Sequence, residues 1–195
     1  VHDASIDLRG WIRADHAELR AKLFRSVVHL VPTDQWARPV DGGGSTVNHL
    51  LLHLARHQDL AVSTAIRNHP PLFAEHAPRL GLAGAPAWAG LPERDDPAVS
   101  AGLPADALLD YVNATFLATE RWLQRTGSMV LDTVPGTSAR LRSKAGLTDP
   151  GLDWLHSMWH GKPLWWLLQW PVIGHGHAHV GELISLRNRL GLSPF

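Results

Sequence analysis

Gly174-His175-Gly176-His177-Ala178-His179-Val180-Gly181-Glu182 is the stretch around which the rest of the chain is organised. His175 and His179 are four residues apart, so on a helix they stand one turn apart on one face. Two imidazoles stacked in this way can bind one metal ion, with a third ligand arriving from another helix. His177 falls between them in sequence and points away from the pair.

The helix that carries this stretch is expected to run from about Pro163 to Leu190, with Pro163 in its first turn and Gly191 as its stop. Pro171 is expected to kink it, and Gly174, Gly176 and Gly181 each weaken it by roughly 1 kcal/mol relative to Ala. Glycines kept at such a cost point to close packing or access near the histidines.

Three further helices are legible. Leu8, Ile12, Leu19, Leu23, Val27 and Leu30 form one apolar stripe over residues 4–30, which Pro32 ends. Asp41-Gly42-Gly43-Gly44-Ser45 is a flexible run in which Ser45 is the expected N-cap of a helix over residues 46–67. Leu108, Val112, Phe116, Thr119 and Leu123 give an inner face to a helix from Pro104 to Arg125. Residues 69–103 are rich in Pro, Gly and Ala, and at about 35 residues they suggest a lid or an ordered excursion over the helices. Residues 127–150 read as another irregular connection, and Asp153–His160 as a short helix. The expected fold is all-α: one domain over residues 1–195, a four-helix bundle with long crossover connections.

Composition narrows the chemistry. Net charge is zero with His neutral, which favours neither nucleic acid nor an acidic membrane as partner. The absence of Cys excludes disulfides, thiolate metal sites and a protein thiol nucleophile, so any thiol chemistry needs a small-molecule thiol. Thirteen His leave imidazole as the obvious ligand. Val1 to Gly10 carries charges and no apolar core of a signal peptide, and Leu164 to Ile173 is too short to span a bilayer. A cytoplasmic location is the expectation. Trp36 and Trp88, if exposed, would mark the surface of a homodimer, whereas Trp165, Trp166 and Trp170 read as core.

Four His pairs have four-residue spacing: His49/His53, His53/His57, His156/His160 and His175/His179. Spacing alone does not choose among them. His175 and His179 lie deep in a long helix among Val172, Ile173, Val180 and Leu183, where a metal would satisfy their polar atoms. On the second helix only His53 is expected well inside, and His156/His160 serve equally well to anchor a loop. His16 falls in the gap of the first stripe and reads as a core or rim residue. No Glu-x-x-His occurs, which sets aside a di-iron carboxylate centre, and no His-Glu-x-x-His, which sets aside the zinc-protease helix.

Ser45-Thr46-Val47-Asn48-His49-Leu50-Leu51-Leu52-His53-Leu54 resembles the second-helix signature of the DinB-like superfamily. His175-x-x-x-His179-Val180-Gly181-Glu182-Leu183, followed by Arg187 and Gly191, is similar to that family's last helix. Helix order and length extend the resemblance over the whole chain, but its specific motifs are these two stretches, roughly 120 residues apart. Glu182 stands where the family usually has Gln. The resemblance implies a four-helix bundle in which His53, His175 and His179 hold zinc or nickel. It also brings thiol-dependent isomerases and S-transferases that use mycothiol, bacillithiol or related thiols.

Three neutral imidazoles leave a divalent ion with open positions, the arrangement of catalytic sites. Such an ion deprotonates a bound thiol outright and brings a bound water to a pKa near 7. The expected function is thiol activation, with a low-molecular-weight thiol and an electrophile as partners. Metal-dependent hydrolysis, or a non-catalytic metal-binding or stress-response role, are the alternatives. Asp59, Glu120 and Glu182 are candidates to accept the outer N–H of a ligating ring. Arg187, two turns beyond His179, would either contact an anionic substrate group or interact with the helix C-terminus.

Overall fold

The first two long helices begin at side-chain caps and run on into wide π turns. The computed structural model describes residues 7–40 and 44–194. Helix α1 (Leu8–Leu23) starts at Asp7, whose carboxylate accepts from the Gly10 amide, and buries Ile12, His16, Leu19 and Leu23. It continues through a wide π turn, Phe24–Val28. The expected start at residue 4, and Asp41–Gly43 of the flexible run, lie outside the described residues.

Helix α2 (Val47–Asp59) is capped one residue later than expected. Thr46, not Ser45, turns its hydroxyl to the His49 amide at 3.2 Å. A π segment (Leu60–Ile66) prolongs it, and every residue from Val47 to Ile66 is buried. Two short helices follow, α3 (Phe73–His76) and α4 (Pro97–Ser100), and then α5 (Ala105–Arg125), entered from Pro104.

Residues 127–150 are more regular than their composition suggests, because they contain α6 (Thr137–Ala145). Only Thr137 and Leu141 of this helix are buried, so no apolar stripe announces it. Its role is polar: Arg140 donates to the carbonyls of Ala65 and Ile66 at 2.7 and 2.9 Å, satisfying the end of the second helix. A short α7 (Asp153–Trp159) leads to the last long segment.

That segment is α8 (Leu164–Leu168), a π turn (Gln169–Gly174) and α9 (His175–Arg189). A kink is expected at Pro171; the structure has this π turn there. Proline has no N–H to return to Leu167, and the ladder widens until the His175 amide reaches the Trp170 carbonyl, five residues back. The extra residue rotates α9 relative to α8 and sets the direction in which His175 and His179 project. Gly176 lets α9 close on α1, since a Cβ there would lie 2.5 Å from a Leu19 methyl.

The molecule is all-helical, with no strand among the described residues. Helix α2 packs against α5 and α9, and α1 against the same two. One apolar core lies among α1, α2, α5 and α9, and a second lies around the π segment of α2, α7 and α8. Trp36 belongs to the first core and donates to the Val31 carbonyl at 3.0 Å, so it presents no surface to a partner. Trp88 is half-buried against the second core, while Trp165 and Trp170, expected inside, are exposed. No helix among the described residues is long and apolar enough to cross a membrane.

Candidate metal centre

Helical periodicity puts His49, His53 and His57 on one face of α2, and the long connection after α2 covers that face. Residues 87–93 of this arm run beside the helix and offer it backbone carbonyls. Gly90 O lies 3.1 Å from His53 Nδ1, Leu91 O 3.1 Å from His57 Nε2, and Glu93 O 3.2 Å from His49 Nε2. The guanidinium of Arg56, buried and stacked 3.8 Å above the Phe73 ring, donates to the Ala87 and Ala89 carbonyls. Asp59 holds the start of the arm by accepting from the amides of Leu72 and Phe73 and from the Tyr111 hydroxyl, at 2.9–3.0 Å. Residues 69–103 are thus an ordered cover, and they bury His49 and His57 as deeply as the rest of α2.

Gly90 is the narrow point of this cover. Its φ is +77°, and a Cβ would stand 2.8 Å from the Leu52 side chain. Gly90→Ala is therefore expected to destabilise the protein by about 1–3 kcal/mol through overpacking and left-handed strain. Its urea midpoint against that of the parent chain measures this, and an unchanged midpoint would contradict it.

The structure brings His53, His175 and His179 together. His175 Nε2 lies 3.2 Å from His53 Nε2 and 3.0 Å from His179 Nε2. Glu93 completes the group, with Oε1 3.6 Å from His53 Nε2 and 3.8 Å from His175 Nε2, and Oε2 3.8 Å from His179 Nε2. One ligand atom from each of the four residues lies within 4.8 Å of the others, a group able to hold a metal ion. Tetrahedral coordination with bonds of about 2.0–2.2 Å has edges of about 3.3–3.6 Å, close to these separations.

The donor set suits a cation on chemical grounds as well. A carbonyl can only accept, so the Gly90 contact puts the His53 proton on Nδ1 and leaves a lone pair on Nε2. The Glu182 carboxylate does the same for His179, with its Oε2 3.2 Å from Nδ1. Two lone pairs therefore face His175 Nε2, which has at most one proton to share between them. Burial, reinforced by the neighbouring imidazoles, pushes the pKa of both His53 and His175 down to about 3. At neutral pH both rings are in the form that binds metal. Nδ1 of His175 is buried without a hydrogen-bond partner.

The other sequence candidates go elsewhere. Of the three carboxylates proposed to orient a ligand, only Glu182 does so; Asp59 anchors the arm and Glu120 pairs with Arg20. Arg187 is buried and directs its guanidinium to the Ser26 carbonyl and the Asn188 side chain, so it is not brought to the cluster as an anion contact. His177 meets Asp15 of α1 at 3.0 Å. His156 anchors a loop through the Leu147 carbonyl at 2.9 Å, and His160 is exposed. His16 is buried beside Gln58, as a core residue.

Sequence reasoning missed Glu93 and the closeness of His57, whose ring centre lies 4.5 Å from those of both His53 and His175. Glu93 has no helical spacing to any ligand. The signal that was there is compositional: between Ala77 and Leu103, the only acidic residues are Glu93, Asp95 and Asp96. None of the family models, curated proteins or solved structures compared with the chain matches it.

Proposed function

We propose that the chain is a metal-dependent enzyme of the DinB-like superfamily, a four-helix bundle with long crossover connections. In it His53, His175 and His179 hold one zinc or nickel ion and a low-molecular-weight thiol is activated for transfer to an electrophile. The pairing of α2 with α5 and α9, and of α1 with the same two, supports the bundle. One observation carries the site: His175 Nε2 lies 3.2 Å from His53 Nε2 and 3.0 Å from His179 Nε2, while Gly90 O and Glu182 fix the outer nitrogens of His53 and His179.

A divalent ion held there would supply Lewis acidity, enough to keep a bound thiol ionised at neutral pH. The chain's own residues do the rest. His53 and His179 present lone pairs because their protons are committed to Gly90 O and Glu182. The arm over α2 shields His53 from water, while the exposed side chain of Glu93 stands at the rim of the cluster. With no Cys in the chain, no protein thiolate competes for the position.

Glu93 favours a second reading, metal-dependent hydrolysis, because a carboxylate at the rim of the site can take a proton from an attacking water. Zinc- or nickel-loaded protein incubated with mycothiol, bacillithiol or glutathione and a generic electrophile separates the two. Thiol consumption well above that of the chelator-stripped protein is expected. No excess rate with any thiol would overturn thiol transfer, and ester or amide cleavage by the loaded protein would then establish hydrolysis.

A further inference from the structure

We propose that Glu93 is a displaceable ligand, one that closes the fourth position of the metal site at rest and yields it to an incoming anion. This rests on the three-histidine site proposed above. The first ground is geometric. The side chain of Glu93 is 72% exposed, yet its carboxylate turns inward to lie 3.6–3.8 Å from the three ring nitrogens. Among the described residues it has no other ion-pair partner and no hydrogen-bond donor. The three ring nitrogens and the carboxylate therefore converge on one point, as four donors to a single cation would.

The second ground is mechanical. The backbone around Glu93 is fixed while its side chain is not. The Glu93 carbonyl lies 3.2 Å from His49 Nε2, and two residues on, Asp95 accepts from the amide and hydroxyl of Thr46 at 2.9 and 2.8 Å. The arm therefore keeps its place on α2 whether the carboxylate points in or out. Only side-chain torsions need to change, a motion of exposed groups on the picosecond to nanosecond scale.

The third ground is charge. A divalent cation among three neutral rings is balanced by two carboxylates, Glu93 at the rim and Glu182 behind His179. If Glu93 swings out, the balance is restored by a singly charged ligand such as a thiolate, and not by a neutral molecule. The site would thus admit anionic sulfur in preference to neutral ligands, and Glu93 would return when the product leaves.

Removing the carboxylate should therefore move two affinities in opposite directions. The full chain and its Glu93→Gln variant are titrated with Co²⁺, followed by visible absorption, and the loaded proteins with azide and 2-mercaptoethanol. Loss of one ligand is expected to weaken Co²⁺ binding by about tenfold or more. If Glu93 occupies the position about nine-tenths of the time, its removal tightens azide and thiol binding by about tenfold. The visible spectrum of the azide-free protein should change as well, because the ligand set has changed. Equal Co²⁺ affinity and equal azide affinity in the two proteins would overturn the proposal, including when the variant has lost turnover and Glu93 acts only as a base. Failure of the parent chain to take up one Co²⁺, or undiminished uptake after His175→Ala, would instead remove the three-histidine site beneath it.

Discussion

Adding zinc to the metal-free protein is expected to raise its unfolding free energy by about 4 kcal/mol at a free concentration a thousandfold above Kd, and His53→Ala to abolish that gain. The three histidines come from α2 and α9, which pack directly on each other, so an ion bound among them would join two elements that only the folded chain brings together. Unfolding therefore releases the ion, and its binding free energy becomes stability. His53 is the informative position because it is fully buried and supplies the sole ligand from α2. Alanine is the best helix former, so α2 should persist without the ring. Loss of a direct ligand should cost more than the 10–100-fold typical of a hydrogen-bonding partner behind the ligand. Urea unfolding of both proteins, with and without zinc, measures this. A zinc-dependent gain in His53→Ala equal to that of the parent chain would show that the ion binds elsewhere.

Acidification is expected to destabilise the metal-free protein steeply below pH 6.5. Burial pushes the pKa of His16 down to about 4, the presence of Arg20 adding to the effect. Above pH 6.5 the ring is neutral in both folded and unfolded chains, and stability does not depend on it. Between 6.5 and 4 the unfolded chain binds a proton that the folded one refuses, so stability falls as pH falls. From pH 7 to pH 5 His16 alone withdraws about 2 kcal/mol, at 1.36 kcal/mol per pKa unit. His53 and His175, lowered to about 3, act with the same sign over a wider range, and buried His57 joins them. Set against a total of roughly 5–15 kcal/mol for a folded domain, this is a large fraction. The urea midpoint of metal-free protein should drop sharply between pH 7 and pH 5, and zinc should delay the drop. A midpoint independent of pH over that interval would contradict the burial of neutral imidazoles.

How much of this was legible in the sequence depended on where each residue's neighbours come from. His175 and His179 were recognisable as a pair because they lie one turn apart on the same helix, whereas His53 entered through its expected burial and the family resemblance alone. The register of α9 was readable from His175 and His179 alone. The form of the disturbance at Pro171 was not, because proline forbids one hydrogen bond without choosing which wider bond replaces it. The burial of His49 and His57 was hidden for a different reason. Their cover is the backbone of residues 90–93, about 35–45 positions downstream, and carbonyl groups leave no mark in a sequence. Glu93 arrives with that same cover. Helix α6 escaped notice because it is held by Arg140 rather than by an apolar face, and Trp36 because one indole cannot be assigned to core or surface by periodicity.

The central claim is that three imidazoles, His53, His175 and His179, bind one divalent ion. X-ray absorption at the zinc edge of protein loaded with one equivalent tests it most directly. The spectrum should show scattering from three imidazole rings with zinc–nitrogen distances of about 2.0–2.1 Å, falling to two rings in His53→Ala. A zinc environment of oxygen ligands with one imidazole or none, unchanged in the variant, would contradict it.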